Sequence, residues 1–290
     1  MTQLNFARWT SAGFGLAAWL ASGWTAAEAQ AAGTASAWTT QKYGPMRLVS
    51  GLPRAPGVTP VAGKLYAGIH IKLDPGWKTY WRQPGDSGVP PRFDWAGSVN
   101  AADVRVLYPV PVRMPEAGMI SLGYKREVVL PVEITPKEAG KPVELKLAAE
   151  YGVCKDICIP AEATLTLALP EAGGPGEGAL IGSYLARVPR QSGAGAPSLQ
   201  GFTSELTGTA PRLVLDAVFP QGSDGADALI EVSGGELAPL PVIAARTGND
   251  RVRFEARFAS AAEARKFAGQ ALVVTLISTA AQSEVAARVP

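Results

Sequence analysis

The sequence has few residues of the types that bind metals, and it carries little net charge. It contains one histidine and two cysteines among 290 residues. Zinc arrays and multi-cluster iron–sulfur proteins need several nitrogen or sulfur ligands at each site, so these classes are excluded. The 27 basic and 25 acidic residues are nearly balanced and form no basic run, which gives no sign of nucleic-acid or anionic-membrane binding. The two cysteines remain the main candidates for chemistry.

The sequence also lacks the run of roughly 20 apolar residues that a membrane-spanning helix requires. Residues 1–29 instead have the pattern of a signal peptide. Arg8 supplies the positive charge, residues 11–24 form a short uncharged core, and Ala27-Glu28-Ala29 is an A-x-A cleavage site. We therefore expect the mature chain to be exported to the periplasm of a Gram-negative bacterium. Because that compartment is oxidising, two cysteines close in sequence are candidates for a disulfide.

The length suggests two domains, at roughly 100–200 residues per domain, and 47% hydrophobic residues suffice for real cores. After the signal peptide and a small polar lead-in at 30–42, we expect a β domain over 43–170. A Gly-, Ala- and Pro-rich linker follows over 171–198, with one short helix around 180–188. Residues 199–290 are expected to form a second β-rich domain.

Alternating apolar and polar residues predict strands through the first domain. The period of two is clear over 65–73, 128–134, 143–151 and 165–169, as expected for half-buried strands. Turn residues such as Asp74-Pro75-Gly76 separate the segments. Short strands with regular turns and almost no helical period predict a mostly β protein, with an antiparallel β-sandwich as its first domain.

The second domain is also expected to be β-rich, with one short helix. Residues 213–219 alternate as a strand, and 271–277 have the composition of a buried strand. Ser260 and Glu263 form a capping box, which predicts a helix over 261–267. No combination of residues in this domain indicates catalysis.

Cys154 and Cys158 lie between a strand ending at Tyr151 and another starting near Ala163. A bent loop with this spacing can bring the two Cα atoms within the roughly 4.4–6.8 Å that a disulfide requires. In the loop-entropy model so short a ring stabilises by only about 2 kcal/mol. A short, exposed disulfide suits reversible exchange. The spacing alone leaves redox exchange, a structural disulfide and metal binding as hypotheses.

The metal hypothesis is that the two cysteines bind a copper ion. Cu(I) is a soft ion that thiolates bind well, so Cys154 and Cys158 could hold it, with His70 as the only available imidazole. His70 lies on a predicted strand, where the alternation favours an outward-facing residue. A copper-handling protein is therefore one alternative function. Another is a β-sandwich interaction module in which the disulfide is purely structural.

An ordered set of motifs resembles the periplasmic N-terminal domain of DsbD- and ScsB-type thiol:disulfide interchange proteins, over about residues 65–169. The set is Gly76-Trp77-Lys78-Thr79-Tyr80-Trp81-Arg82, Gly123-Tyr124-Lys125-Arg126-Glu127, Leu130-Pro131-Val132, Tyr151-Gly152-Val153-Cys154 and Cys158-Ile159-Pro160. The resemblance implies an immunoglobulin-like sandwich and dithiol–disulfide exchange without a cofactor.

The same resemblance implies roles for the cysteines. Cys158 would form mixed disulfides with partners, and Cys154 would resolve them, giving a protein-disulfide reductase activity. The implied partners are a membrane thiol reductase of DsbD or CcdA type and periplasmic thioredoxin-like proteins. The membrane and thioredoxin-like domains of the family are not in this sequence, so we expect either that other proteins supply those functions or that the fold serves another task.

The family shields its cysteine pair with a cap loop, which corresponds here to residues 115–124. Met119 or Ile120 would take the shielding position, where the family usually has an aromatic residue. Tyr80 and Tyr124 match family aromatics near the site, although both are equally typical of a sandwich core.

A Gly- and Pro-rich loop flanked by aromatics extends over residues 77–91. Such a loop could form a binding rim beside the cysteines, or it could be only a structural connection. The sequence leaves both interpretations open.

Overall fold

The computed structural model describes residues 33–116, 118–170, 176–232 and 240–290. The predicted signal peptide lies outside these residues. The described residues belong to one compact unit, Ala32–Pro290. None of the helices in them is long and apolar enough to cross a membrane.

The first ten strands form two facing sheets. The strands are β1 (Met46–Ser50), β2 (Leu65–Lys72), β3 (Lys78–Gly85), β4 (Arg92–Asp94), β5 (Ala101–Val106), β6 (Val112–Glu116), β7 (Met119–Lys125), β8 (Glu127–Pro136), β9 (Val143–Cys154) and β10 (Cys158–Leu169). One sheet has the order β1-β2-β8-β5, and the other has the order β10-β9-β3-β7-β6, with β4 paired to β9. All these pairings are antiparallel, which confirms the predicted sandwich.

The remaining strands form a second pair of sheets. The elements are α1 (Gly178–Leu185), β11 (Arg190–Gln191), β12 (Ser198–Glu205), β13 (Arg212–Val218), β14 (Asp227–Val232), β15 (Val242–Thr247), β16 (Arg251–Arg257), α2 (Ala261–Arg265), β17 (Ala271–Ile277) and β18 (Gln282–Arg288). The sheet orders are β11-β18-β17-β14 and β12-β13-β16-β15. Strand β17 has the predicted bounds, and β13 begins and ends one residue before the prediction.

The inward faces of the first two sheets form the main core. Leu145, Leu147, Ala149 and Tyr151 of β9 are buried there, while the intervening residues of this stretch are partly or fully exposed. Strand β2 differs from the predicted half-buried pattern, because all of its residues from 66 to 71 are buried on both faces.

The outer face of β2 is covered by a helix and by the lead-in segment. Ile181 of α1 is fully buried against Val49 and Val129. The helix begins at Gly178, two residues before the predicted start. A Cβ at Gly178 would lie only 2.1 Å from the carbonyl oxygen of Leu52, so glycine allows the helix to pack this closely.

Helix α2 is shorter than the predicted 261–267. Its cap is as expected, since Ser260 Oγ accepts a hydrogen bond from the amide of Glu263 at 3.2 Å. Beyond Arg265 the chain forms tighter three-residue bonds, such as that from the amide of Phe267 to the carbonyl of Ala264. The α-helix therefore ends two residues early.

Candidate functional site

The two cysteines form a disulfide at the end of the β9–β10 ladder. The strands pair continuously from Val143 and Leu169 to Cys154 and Cys158. The cysteines are thus the last cross-strand pair, with Cα atoms 4.1 Å apart, and residues 155–157 form the turn. A hydrogen bond of 3.0 Å from the amide of Lys155 to the carbonyl of Ile157 closes this turn. The ladder therefore continues three residues beyond the predicted strand end at Tyr151.

The two sulfur-bearing residues differ sharply in their access to solvent. Cys154 is fully buried in the sheet, whereas Cys158 is exposed. Ile157, which precedes Cys158 in the turn, is 67% exposed. An incoming thiolate or disulfide can therefore approach at Cys158, while Cys154 is positioned to react only with its neighbour.

Tyr80 contacts the exposed member of the pair. Its hydroxyl oxygen lies 3.4 Å from Cys158 Sγ, and because a disulfide sulfur carries no proton, the hydroxyl is the donor. Tyr80 is buried on β3, and burial, followed by the negative charge of Glu116, raises the pKa of its hydroxyl. The hydroxyl therefore keeps its proton and remains a donor.

An ion pair connects the predicted cap to the site. Lys78 of β3 is the strand partner of Cys154, and its ammonium group bonds the carboxylate of Glu116 at the end of β6. The lysine side chain is 10% exposed and the glutamate 52%. The cation thus lies deep beside the buried cysteine, and the β6–β7 hairpin is held to the site through it. The sequence placed Lys78 in a family motif and Glu116 in the cap loop, but it indicated no contact between them.

The residues predicted to shield the disulfide lie on this hairpin. Met119 is 44% exposed and pairs with Glu116 across the turn. Ile120 is tied by its backbone to Asp86, since its amide donates to Asp86 Oδ2 at 2.8 Å and its carbonyl accepts from the Asp86 amide at 3.0 Å. The hairpin therefore contacts the site through the pairing of β7 with β3 and through the side chain of Glu116, and the shielding role of Met119 or Ile120 stays a prediction.

Tyr124 has a different environment from Tyr80. It is buried in the main core, where its hydroxyl donates to the carbonyl of Pro109 at 2.7 Å. Burial raises its pKa well above the ordinary value. Of the two tyrosines matched to the family, Tyr80 lies at the disulfide and Tyr124 supports the core.

The loop predicted over 77–91 is a loop only after Gly85, because residues 78–85 form strand β3, and its remaining part lies beside the site. A Cβ at Gly88 would come within 2.7 Å of the Tyr80 ring, and one at Gly152 would come within 3.1 Å of Val89. Gly152 precedes Cys154 by two residues in β9. The loop therefore packs directly on Tyr80 and on the strand that carries the buried cysteine.

His70 belongs to the other sheet, on β2. Arg47 donates to its Nδ1 at 3.2 Å, so neutral His70 carries its proton on Nε2, which donates to Glu127 Oε1 at 2.6 Å. Trp38 packs edge-on against the ring at 4.8 Å, so the outward-facing side chain is nevertheless buried. Both ring nitrogens are engaged. In the described part of the chain, no three His, Cys, Asp or Glu residues are grouped in a way that could hold a metal.

Comparison with known proteins agrees with this geometry. Residues 58–170 match the family described as thiol:disulfide interchange protein DsbD, N-terminal. The crystal structure of the N-terminal periplasmic domain of ScsB from Proteus mirabilis is similar, with a TM-score of 0.66 and 23% identity. That similarity covers 88% of this chain and 98% of the ScsB chain. No curated protein matches the chain.

These matches confirm the family resemblance inferred from the sequence, and they extend it slightly, to begin at residue 58. At 23% identity, the likeness to ScsB is one of fold. It confirms a mostly β architecture, with an immunoglobulin-like sandwich carrying the cysteines.

Proposed function

We propose that this chain is a periplasmic thiol–disulfide exchange protein. It passes reducing equivalents from a membrane thiol reductase to periplasmic thioredoxin-like proteins through the Cys154–Cys158 pair. The observation that carries the proposal is a disulfide with one buried and one exposed cysteine, in a region that matches the DsbD N-terminal domain. The signal-like N-terminus and the periplasmic domain of ScsB support the compartment.

Reduction of a partner begins from the dithiol form. The Cys158 thiolate attacks one sulfur of the partner's disulfide, so a Cys158–partner bond forms and the partner's other sulfur leaves as a thiolate, which takes a proton. The Cys154 thiolate then attacks Cys158 Sγ. This step forms the Cys154–Cys158 disulfide and releases the partner's second thiolate. Two electrons have moved to the partner.

The dithiol is regenerated by the reverse chemistry with a reducing dithiol, here that of the membrane reductase. Its thiolate attacks the exposed Cys158 Sγ, and Cys154 leaves as a thiolate. The second thiol of the reductase then resolves the mixed disulfide, so that the reductase is oxidised and Cys158 is released. Because Cys154 is buried, both half-reactions use the same exposed sulfur.

The surrounding residues have distinct parts in this proposal. The Tyr80 hydroxyl donates to Cys158 Sγ, which stabilises negative charge on that sulfur as it is released or before it attacks. The β6–β7 hairpin and the part of the rim loop that follows β3, residues 86–91, border the site. Residues 43–170 would carry the chemistry, with the linker at 171–198 and the second β-rich domain at 199–290.

Trapping of mixed disulfides tests the assignment. Reduced Cys154→Ala is expected to accumulate a stable covalent adduct with a thioredoxin-like protein disulfide, because the resolving thiol is missing. Reduced Cys158→Ala should form little adduct, since Cys154 is buried. Mass spectrometry under non-reducing conditions distinguishes the two. If both single variants exchange as fast as the unmodified chain, the proposal is wrong.

A further inference from the structure

A cleft of about 690 Å³ opens where the chain crosses between the two sheets of the first sandwich. The crossing is at Arg126, which separates β7 from β8 and has a left-handed backbone with φ 69°. Aromatic rings of Trp77 and Tyr184 line the cleft, and Trp77 is itself held by a stacked ring, Tyr43, at 4.0 Å. The cleft thus has aromatic walls, one of which is supported by a second stacked ring.

Three exposed cations line this cleft: Lys125, Arg126 and Arg187. None of them forms an ion pair with any residue that the structure describes. The carboxylate in the lining, Glu127, is hydrogen-bonded to His70 at 2.6 Å. The hydrogen bond from neutral His70 does not cancel the charge of Glu127. Three cations against one carboxylate nevertheless leave the lining net positive, in a chain whose overall charge is only +2, and so concentrate positive potential at one place.

The strand register fixes the position of the cleft relative to the disulfide. Cys158 pairs with Cys154, Cys154 with Lys78, and Lys78 with Lys125, so the four residues form one row across the sheet. With neighbouring strands about 4.8 Å apart, Lys125 lies about 14 Å from the exposed cysteine. Lys155 of the disulfide turn lies over Gly76 at the edge of the cleft, within 3.1 Å of where a Cβ would be. Lys155 therefore places a further cation between the cleft and the disulfide, next to Asp156 of the same turn.

We propose that this basic cleft docks acidic side chains of the protein that exchanges disulfides with Cys158. The inference rests on the proposed function and adds the charge of the partner's docking surface. A distance of about 14 Å corresponds to roughly four extended residues, so a protein segment spans from Cys158 to the cleft. Such a contact raises the rate of encounter rather than the intrinsic reactivity of the sulfur.

The test uses two peptide disulfides and the reduced full chain. Each peptide carries one cysteine joined to 2-thiopyridine, followed four residues later by a run of either Asp and Glu or Asn and Gln. The Cys158 thiolate displaces pyridine-2-thione, whose absorbance gives the second-order rate, and Cys154 then releases the peptide thiol. The acidic peptide should react about tenfold faster at low ionic strength. This advantage should fall as salt shortens the Debye length.

A variant without the cleft cations, Lys125→Gln/Arg126→Asn/Arg187→Gln, should react equally with both peptides. Asn at 126 tolerates the left-handed backbone. A matched control, Lys137→Gln/Arg251→Gln/Arg265→Gln, removes the same charge from exposed positions outside the cleft and should keep the preference.

Equal rates for the two peptides with the unmodified chain would overturn the docking proposal. So would a preference that survives in the cleft variant, or one that the control variant loses equally. Absence of thione release from either peptide would instead contradict the exchange function itself, and the docking proposal with it.

Discussion

Cys154 and Cys158 face each other across one ladder, and their different exposure is set by the sheet around them. Cys154 is enclosed because β3 pairs beside it, whereas Cys158 begins the edge strand β10. The spacing of the cysteines allowed a disulfide and left redox exchange, a structural disulfide and metal binding open. Their unequal access could not be read from the spacing, because it depends on β3, which lies about seventy residues earlier in the chain.

Tyr80→Phe tests the hydroxyl–sulfur contact. Loss of this hydrogen bond should slow disulfide exchange by reduced protein by about tenfold, since a bond to a charged group contributes about 1.5 kcal/mol. The measurement is the second-order rate with a thioredoxin-like protein disulfide at fixed pH.

The matched control is Tyr124→Phe, which removes a hydroxyl bonded to Pro109 in the core. It should lower the free energy of unfolding by about 1 kcal/mol and leave the exchange rate unchanged. Equal exchange rates for Tyr80→Phe and Tyr124→Phe would contradict the role assigned to Tyr80.

At the scale of elements, periodicity predicted the strands well where one face is buried and the other is exposed. Strand β9 follows the rule over most of its length, because its outward residues meet solvent. Strand β2 does not, because α1 and the segment around Trp38 cover its outer face. Both covering elements are distant in sequence from β2. The burial of its outer face therefore could not be predicted from the local pattern.

The burial of His70 under the lead-in segment predicts that the free energy of unfolding depends on pH. His70 is buried under Trp38, and burial lowers its pKa below the ordinary 6.5, an effect that Arg47 and Lys72 reinforce and Glu127 opposes. The unfolded chain therefore binds the proton more readily than the folded one. The free energy of unfolding should be highest above about pH 7 and fall as the pH drops below 6.5 towards the lowered value.

Urea unfolding at intervals between about pH 7.5 and 5.5 measures this effect. His70→Gln keeps an acceptor for Arg47 and a donor for Glu127 without titrating, so its stability should change less over the same range. The sequence has a single histidine, which leaves no other imidazole to mask the result. A pH dependence that is the same in the variant would contradict the assignment to His70.

At the scale of the whole molecule, arginines of the first sandwich bind carboxylates of the second. Arg82 contacts Glu231 and Glu284, and Arg113 forms a two-pronged pair with Asp227 at 2.6 and 2.8 Å. Burial alone would lower the pKa of Arg82, but the two carboxylates outweigh it and the net shift is upward. These contacts hold β3, which carries Tyr80, and β6 against the second sandwich.

Arg113→Ala should lower the free energy of unfolding by about 1–3 kcal/mol, because it removes the cation paired with Asp227 and the hydrogen bonds to two carbonyl groups. Urea unfolding gives the value. Arg253→Ala is the matched control: its exposed pair with Asp216 lies within the second sandwich, and its loss should cost less than about 1 kcal/mol. Similar losses for the two variants would refute a special role for the contact between sandwiches.

For the second sandwich, the sequence predicted individual elements but not the fold. Its strand at 271–277 and its capped helix were predicted from local patterns, but its relation to a known fold was not. The family motifs are confined to the first sandwich, whereas the similarity to ScsB covers 88% of the chain. The second sandwich has the alternation that builds a sheet but no distinctive motif, so its fold emerges only from the tertiary structure.

The central claim is that Cys154 and Cys158 cycle between dithiol and disulfide. The most direct measurement is the reduction potential of the pair, obtained by equilibrating the purified mature chain in glutathione or dithiothreitol buffers and counting free thiols. The account predicts a potential above about −250 mV, in the range of exchange proteins. A value below about −300 mV, typical of structural disulfides, would contradict it.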